Sequence, residues 1–160
     1  MDYEGKIKFP IENDSIEIID KYRSELIFVY KDKKINAYNN YIKINSPIMK
    51  SIKKLYENNN FRNLAECFKY EGANNRYGIL NTYFREITPP LFEDLEYATN
   101  SLIIFKEKNK YGIYNYNDKK ELITPIYDQI IFTNKGFIGL KDNIFYSIDI
   151  NDPSKTIKLN

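Results

Sequence analysis

The run Asn109–Ile131, NKYGIYNYNDKKELITPIYDQII, decides the fold because it is written twice. Upstream, Asn75–Leu95 reads NRYGILNTYFREITPPLFEDL. Both carry Tyr-Gly-Ile, a polar turn, Ile-Thr-Pro, an aromatic–acidic pair and an aliphatic residue. Tyr77 and Tyr111 recur at a period of 34 residues, a spacing that belongs to repeat architectures. Such arrays build extended surfaces, and surfaces bind more often than they catalyse.

Within a unit the pattern reads as a hairpin. Leu102–Lys106 is a short apolar strand, Glu107–Lys110 a charged turn and Tyr111–Tyr116 a second strand. Apolar runs bounded by Lys, Asn and Asp clusters carry that signal. Leu26–Asn40 (LIFVYKDKKINAYNN) aligns with Leu102–Tyr116 (LIIFKEKNKYGIYNY) without a gap. Phe68 stands before Tyr77 as Leu102 stands before Tyr111. A last copy starts at Phe137, with what reads as a shorter turn at Asp142-Asn143, residue types that tolerate positive φ. Pro47, Pro90 and Pro125 follow in register, and proline suits a strand start or an edge.

One unit carries extra residues. Ile48, Ile52, Leu55 and Tyr56 have helical spacing, with Ser46 as N-cap and Pro47 at the first helical position. The expected fold is mainly β: antiparallel β-hairpin repeats, about four units, with one short helical insertion over about 47–64. The chain reads as a single domain over 1–160, with degenerate units in 1–67, clear units in 68–140 and a terminal partial unit in 141–160.

Lys110-Tyr111-Gly112-Ile113 and Ile123-Thr124-Pro125-Ile126-Tyr127-Asp128-Gln129-Ile130 resemble the WG-repeat family, also called KWG repeats. Arg76-Tyr77-Gly78-Ile79 and Pro90–Leu95 match less fully. Tyrosine stands where the family has tryptophan, which this chain lacks; tyrosine is also a large ring with a polar tip. The resemblance implies an array of antiparallel hairpins. It implies no shared catalytic residues.

Composition narrows function. The chain has 160 residues, no histidine, one cysteine and a formal net charge of +2. Without histidine, Ser-His-Asp and Cys-His catalysis and ordinary zinc sites are ruled out. Cys67 has no partner for an intramolecular disulfide and reads as a buried thiol. The opening MDYEGKIKFP lacks an apolar signal segment, and runs such as Leu102–Phe105 are too short to span a bilayer. The expectation is a cytoplasmic, non-enzymatic protein without cofactor, metal or membrane partner.

Each candidate surface has a plainer reading beside it. Gly78 and Gly112 mark close approach of a neighbouring strand more readily than of a ligand. Tyr77, Tyr111 and Tyr127 read as core. Tyr114 and Tyr116 alternate onto the opposite strand face and are the better surface candidates. Glu93, Asp94 and Glu96 form an acidic cluster that suits a basic partner, although Glu93 matches Asp128 and also reads as a turn cap. Lys50, Lys53, Lys54 and Arg62 lie on the polar side of the expected helix, where a solvated face is the plainer reading. The best-supported function is a small bacterial inhibitor or immunity protein that neutralises a toxin or nuclease by direct binding. Alternatives are a phage-encoded inhibitor of a host nucleoprotein, a binder of single-stranded nucleic acid and, less favoured, a carbohydrate or envelope ligand binder.

Overall fold

Two-residue turns set the architecture. Asp32-Lys33, Lys108-Asn109 and Asp142-Asn143 all have positive φ at both positions. That geometry matches the right-handed twist of the flanking strands and closes a tight hairpin. The turn at Asp142-Asn143 has the same two residues as the turn at Lys108-Asn109, not fewer as its sequence had implied.

The computed structural model describes residues 9, 12–20, 26–55 and 67–159. They form four antiparallel sheets, each a four-stranded meander in chain order. The first holds β1 (Ser15–Asp20), β2 (Leu26–Lys31), β3 (Lys34–Asn39) and β4 (Ile42–Lys43). The second holds β5 (Ser51–Lys54), β6 (Cys67–Glu71), β7 (Tyr77–Asn81) and β8 (Glu86–Phe92). The third holds β9 (Asp94–Thr99), β10 (Leu102–Glu107), β11 (Lys110–Asn115) and β12 (Lys120–Tyr127). The fourth holds β13 (Gln129–Thr133), β14 (Gly136–Lys141), β15 (Ile144–Ile148) and β16 (Ile157–Lys158), with a 3₁₀ turn at Pro153–Lys155 before the last strand. The mainly β repeat fold is as expected, and the last sheet is built in full.

The helix expected after Pro47 is not formed in its described part. Ser51–Lys54 is a strand, with Ile52 opposite Tyr70 and Lys53 opposite Lys69. Met49 is fully buried while Ile48 is exposed, the reverse of what the helical face required. The second sheet needs a first strand, and pairing with β6 overrides a weak local helical pattern. The rest of the expected insertion, including Asn58–Asn60 and Arg62, lies outside the described residues. The second unit also starts one residue earlier than its sequence alignment: Phe68 pairs with Leu80 as Ile103 pairs with Tyr114. The extra residue is taken up by a longer loop between β6 and β7.

Three cores separate the four sheets. Phe28, Ile35 and Met49 meet Phe68, Tyr70 and Phe84 between the first and second. Ile79 and Phe92 meet Leu95, Ile103 and Phe105 between the second and third. Ile104, Ile113 and Ile123 meet Ile130, Phe137 and Ile148 between the third and fourth. The two middle sheets are therefore covered on both faces. Burying both faces removes apolar surface from water twice per strand, the main stabilising term available to so thin a module.

Mid-strand glycines allow this packing. A Cβ on Gly112 would lie 2.4 Å from the Ile123 carbonyl oxygen, and one on Gly78 would lie 2.6 Å from that of Thr88. The fourth strand bulges inward there, with register shifts at Tyr111/Ile113 and Tyr77/Ile79. Tyr70 lies opposite Gly78 and Phe105 opposite Gly112. In the fourth sheet the pair is kept but exchanged between strands, as Gly139 opposite Tyr146. Pro90 and Pro125 sit in β8 and β12, the edge strands of their sheets, where a missing donor costs least.

Candidate functional site

An acidic residue just before the first strand recurs in three of the four sheets. Its backbone and side chain both reach the hairpin two strands on. Asp14, Glu93 and Asp128 donate their backbone N–H to Tyr30, Lys106 and Leu140 at 2.9, 3.0 and 2.7 Å. Their carboxylates then accept from the turn amides: Asp32 at 2.9 Å, Lys108 and Asn109 at 2.9 and 3.3 Å, and Asp142 at 3.0 Å. In the second sheet the backbone bond survives as Lys50 to Glu71 at 2.8 Å, but lysine replaces the acid and reaches Asn75 instead. Glu93 is thus a turn staple, as its match to Asp128 had implied.

These bonds move proton affinities. The amides of Asn109 and Lys108 hold the Glu93 carboxyl below its usual range. The Lys110 ammonium, then the Asp142 amide, do the same for Asp128, and Lys110 is raised in return. Both carboxyls release protons more readily folded than unfolded. They add stability above their unfolded pKa values of about 4.3 and 3.9, and lose it as pH falls through the lower folded values. We expect the thermal midpoint to drop on acidification below about pH 5. A Glu93→Gln, Asp128→Asn double variant should start lower and drop less; parallel curves for the two proteins would contradict the staple.

The other candidates divide clearly. Asp94 pairs with Lys69 and accepts from the Leu95 N–H, so it ties the third sheet to the second. Lys69 also lies 4.2 Å from the Tyr77 ring centroid. Arg76 with Glu107, and Lys110 with Asp128, make the corresponding links from one sheet to the next. Glu96 is exposed on β9. Lys50 and Lys53 are exposed at the first-strand edge of the second sheet, and Lys54 is half-buried beside them.

Tyr114 and Tyr116 are not the surface residues their alternation implied. Tyr116 is buried, donating to the Asn100 carbonyl at 3.0 Å. Tyr114 packs against Phe92 and Phe105, with centroids at 5.3 and 6.3 Å. Alternation separates the two faces of a strand correctly, but here each face meets another sheet. Tyr111 looks toward the fourth sheet and Tyr114 toward the second. Cys67 is buried beside Tyr116, as expected.

Other phenols are held protonated. Burial, then the bond to Glu17 at 2.8 Å, pushes Tyr30 up to about 12. Burial and the bond to Glu86 raise Tyr70 further. Among the described residues, no group of three or more Cys, Asp or Glu is placed to hold a metal ion. Among the same residues, no helix is long and apolar enough to cross a membrane.

Sequence reasoning missed the outer face of the fourth sheet. Ile131, Phe145 and Ile157 are 45%, 54% and 65% exposed, and pairing register puts them on one face with the half-buried Ile138 and Leu140. The signal was present in sequence, since Phe145 aligns with Tyr111. It could not be read without knowing how the sheets stack.

No family model matches the chain, and no curated protein matches it. Among solved structures, the crystal structure of HIRA(644-1017) is similar over 90% of this chain, at 10% identity and a TM-score of 0.42. The chain spans about half, 47%, of that structure.

Proposed function

We propose that the protein is a non-enzymatic protein-binding module of the WG-repeat kind, and that its partner is a toxin or nuclease that it inhibits by direct contact. The observation that carries this reading is the bare outer face of the fourth sheet. Contiguous exposed apolar surface of this sort marks contact sites in proteins that otherwise cover their sheets. The rigid array behind it keeps the face preorganised, which reduces the ordering cost of association. The acidic Glu96 and the basic Lys50 and Lys53 lie elsewhere on the array and suit steering of a charged partner.

The test is co-expression with any toxin or nuclease domain encoded in the neighbourhood of its gene. Wild type should restore growth, and Phe145→Asp, on the face but outside every sheet–sheet core, should lose that rescue while keeping its circular dichroism spectrum. Rescue by Phe145→Asp equal to wild type would remove the face from the function. Absence of rescue by the wild type itself would remove inhibition of that toxin. No nucleic-acid reading is favoured, because Tyr114 and Tyr116, the surface rings that base stacking would need, are packed inside.

A further inference from the structure

We infer that the free protein stores its contact face in a two-fold dimer, with the outer face of the fourth sheet packed on the same face of a second copy. This rests on the reading of that face as the contact surface, and assigns how it is regulated before the partner arrives. Three observations lead there.

The first is continuity with the interfaces inside the molecule. Turn and register equate Phe145 with Tyr111, Ile138 with Ile104 and Ile157 with Ile123. In the third sheet those residues face the fourth and are packed in the core between them. The fourth sheet therefore presents the surface that its neighbour uses to bind a sheet, and among the described residues nothing is packed against it.

The second is charge. The outward residues of the fourth sheet are Ile131, Ile138, Leu140, Phe145 and Ile157 with small or polar uncharged residues between them, and none is ionisable. A surface meeting its own copy brings each residue near its like. An uncharged one does so without the repulsion that ordinarily blocks such pairing.

The third weighs against the alternative. Head-to-tail stacking would place this face against the opposite end of the array, the side of the first sheet that carries Ile27 and Val29. Those residues are only 1% and 3% exposed, and the Phe9 ring lies against Tyr38 on the same side, with centroids 5.0 Å apart. That side also carries Ile16 and Ile18, 46% and 45% exposed, but Lys31, Lys34 and Lys43 share it, so stacking there would bury charge that two uncharged faces meeting do not.

Sedimentation velocity over a dilution series of the whole chain tests this. The expected result is a species of twice the chain mass that dissociates to one on dilution. Ile157→Asp and Phe145→Asp should each remain at single mass at every concentration, with unchanged circular dichroism. A wild type of single mass throughout overturns the dimer, as do variants that still double, or assemblies that keep growing with concentration. The two proposals fail separately. A monomeric wild type whose Phe145→Asp variant loses toxin rescue overturns the dimer and leaves the binding face standing. A dimer whose variants rescue normally upholds the pairing and overturns the partner site.

Discussion

Gly112→Val lowers the stability of the protein by about 3 kcal/mol, the upper range for forcing atoms into a filled interior. For a chain of this length that is a fall of about 10 °C in thermal midpoint. The obstacle is backbone. A Cβ at Gly112 would lie 2.4 Å from the Ile123 carbonyl oxygen and 2.7 Å from the Phe105 ring. The carbonyl belongs to the bulged fourth strand and cannot turn aside without opening the β11–β12 pairing. Gly139→Ala should cost less, although its nearest contact is 2.5 Å, because the atoms met there are the Tyr127 ring and the tip of Ile148. Side chains rotate where strands do not. Thermal denaturation of the two variants checks the order, and a Gly112→Val midpoint above that of Gly139→Ala would contradict the account.

Phe84→Ala costs about 4 kcal/mol, in the range measured for emptying a buried phenylalanine site. Phe84 is fully buried, stacked on Phe68 at 5.1 Å and edge-on to Phe28 at 5.3 Å. It is the hinge of the core between the first and second sheets. Its backbone is left-handed, with φ of 57°, an unfavourable setting for a bulky side chain. Alanine keeps that setting and discards the packing that sustains it, so truncation has no compensating relief. Chemical denaturation should show the loss as a lower midpoint. A change within about 1 kcal/mol of zero, ordinary for a surface substitution, would mean that the two sheets do not depend on this ring.

Phe84 also shows where sequence reading stops. It lies in a polar turn, Asn81-Thr82-Tyr83-Phe84-Arg85, whose counterpart in the next unit is Asn115–Lys119. Nothing in its spacing separates it from Tyr83, which is 72% exposed. By contrast, Tyr-Gly-Ile at two places pointed to the strands and the glycine clearance, and the match of Glu93 to Asp128 to the turn staples, because each is a local requirement of the hairpin. The faces of Tyr114 and Tyr116 were also separated correctly by alternation. What alternation lacks is the number of layers, a property of how sheets stack rather than of any one strand. The helical reading of Ile48–Tyr56 failed for a related reason: four residues of strand, Ser51–Lys54, are fixed by pairing with β6, a partner more than a dozen residues away. The bare fourth face was out of reach for the same cause, since the exposure of a sheet face depends on which other sheets pack against it.

Each sheet is a meander whose strands pair with their chain neighbours, and only three packed layers join the four sheets. Such a chain does not have one uniform resistance to opening. The second and third sheets are clamped from both sides, whereas the first and fourth are each clamped from one, so unravelling starts at the two ends and moves inward. Backbone amides of β14 and β15 should then exchange with solvent through a shallower opening than those of β7 and β11. A bound companion on the last sheet would do more than cover oil-like surface: it would convert an outer rung of the ladder into an interior one, and the gain would be felt along the whole stack.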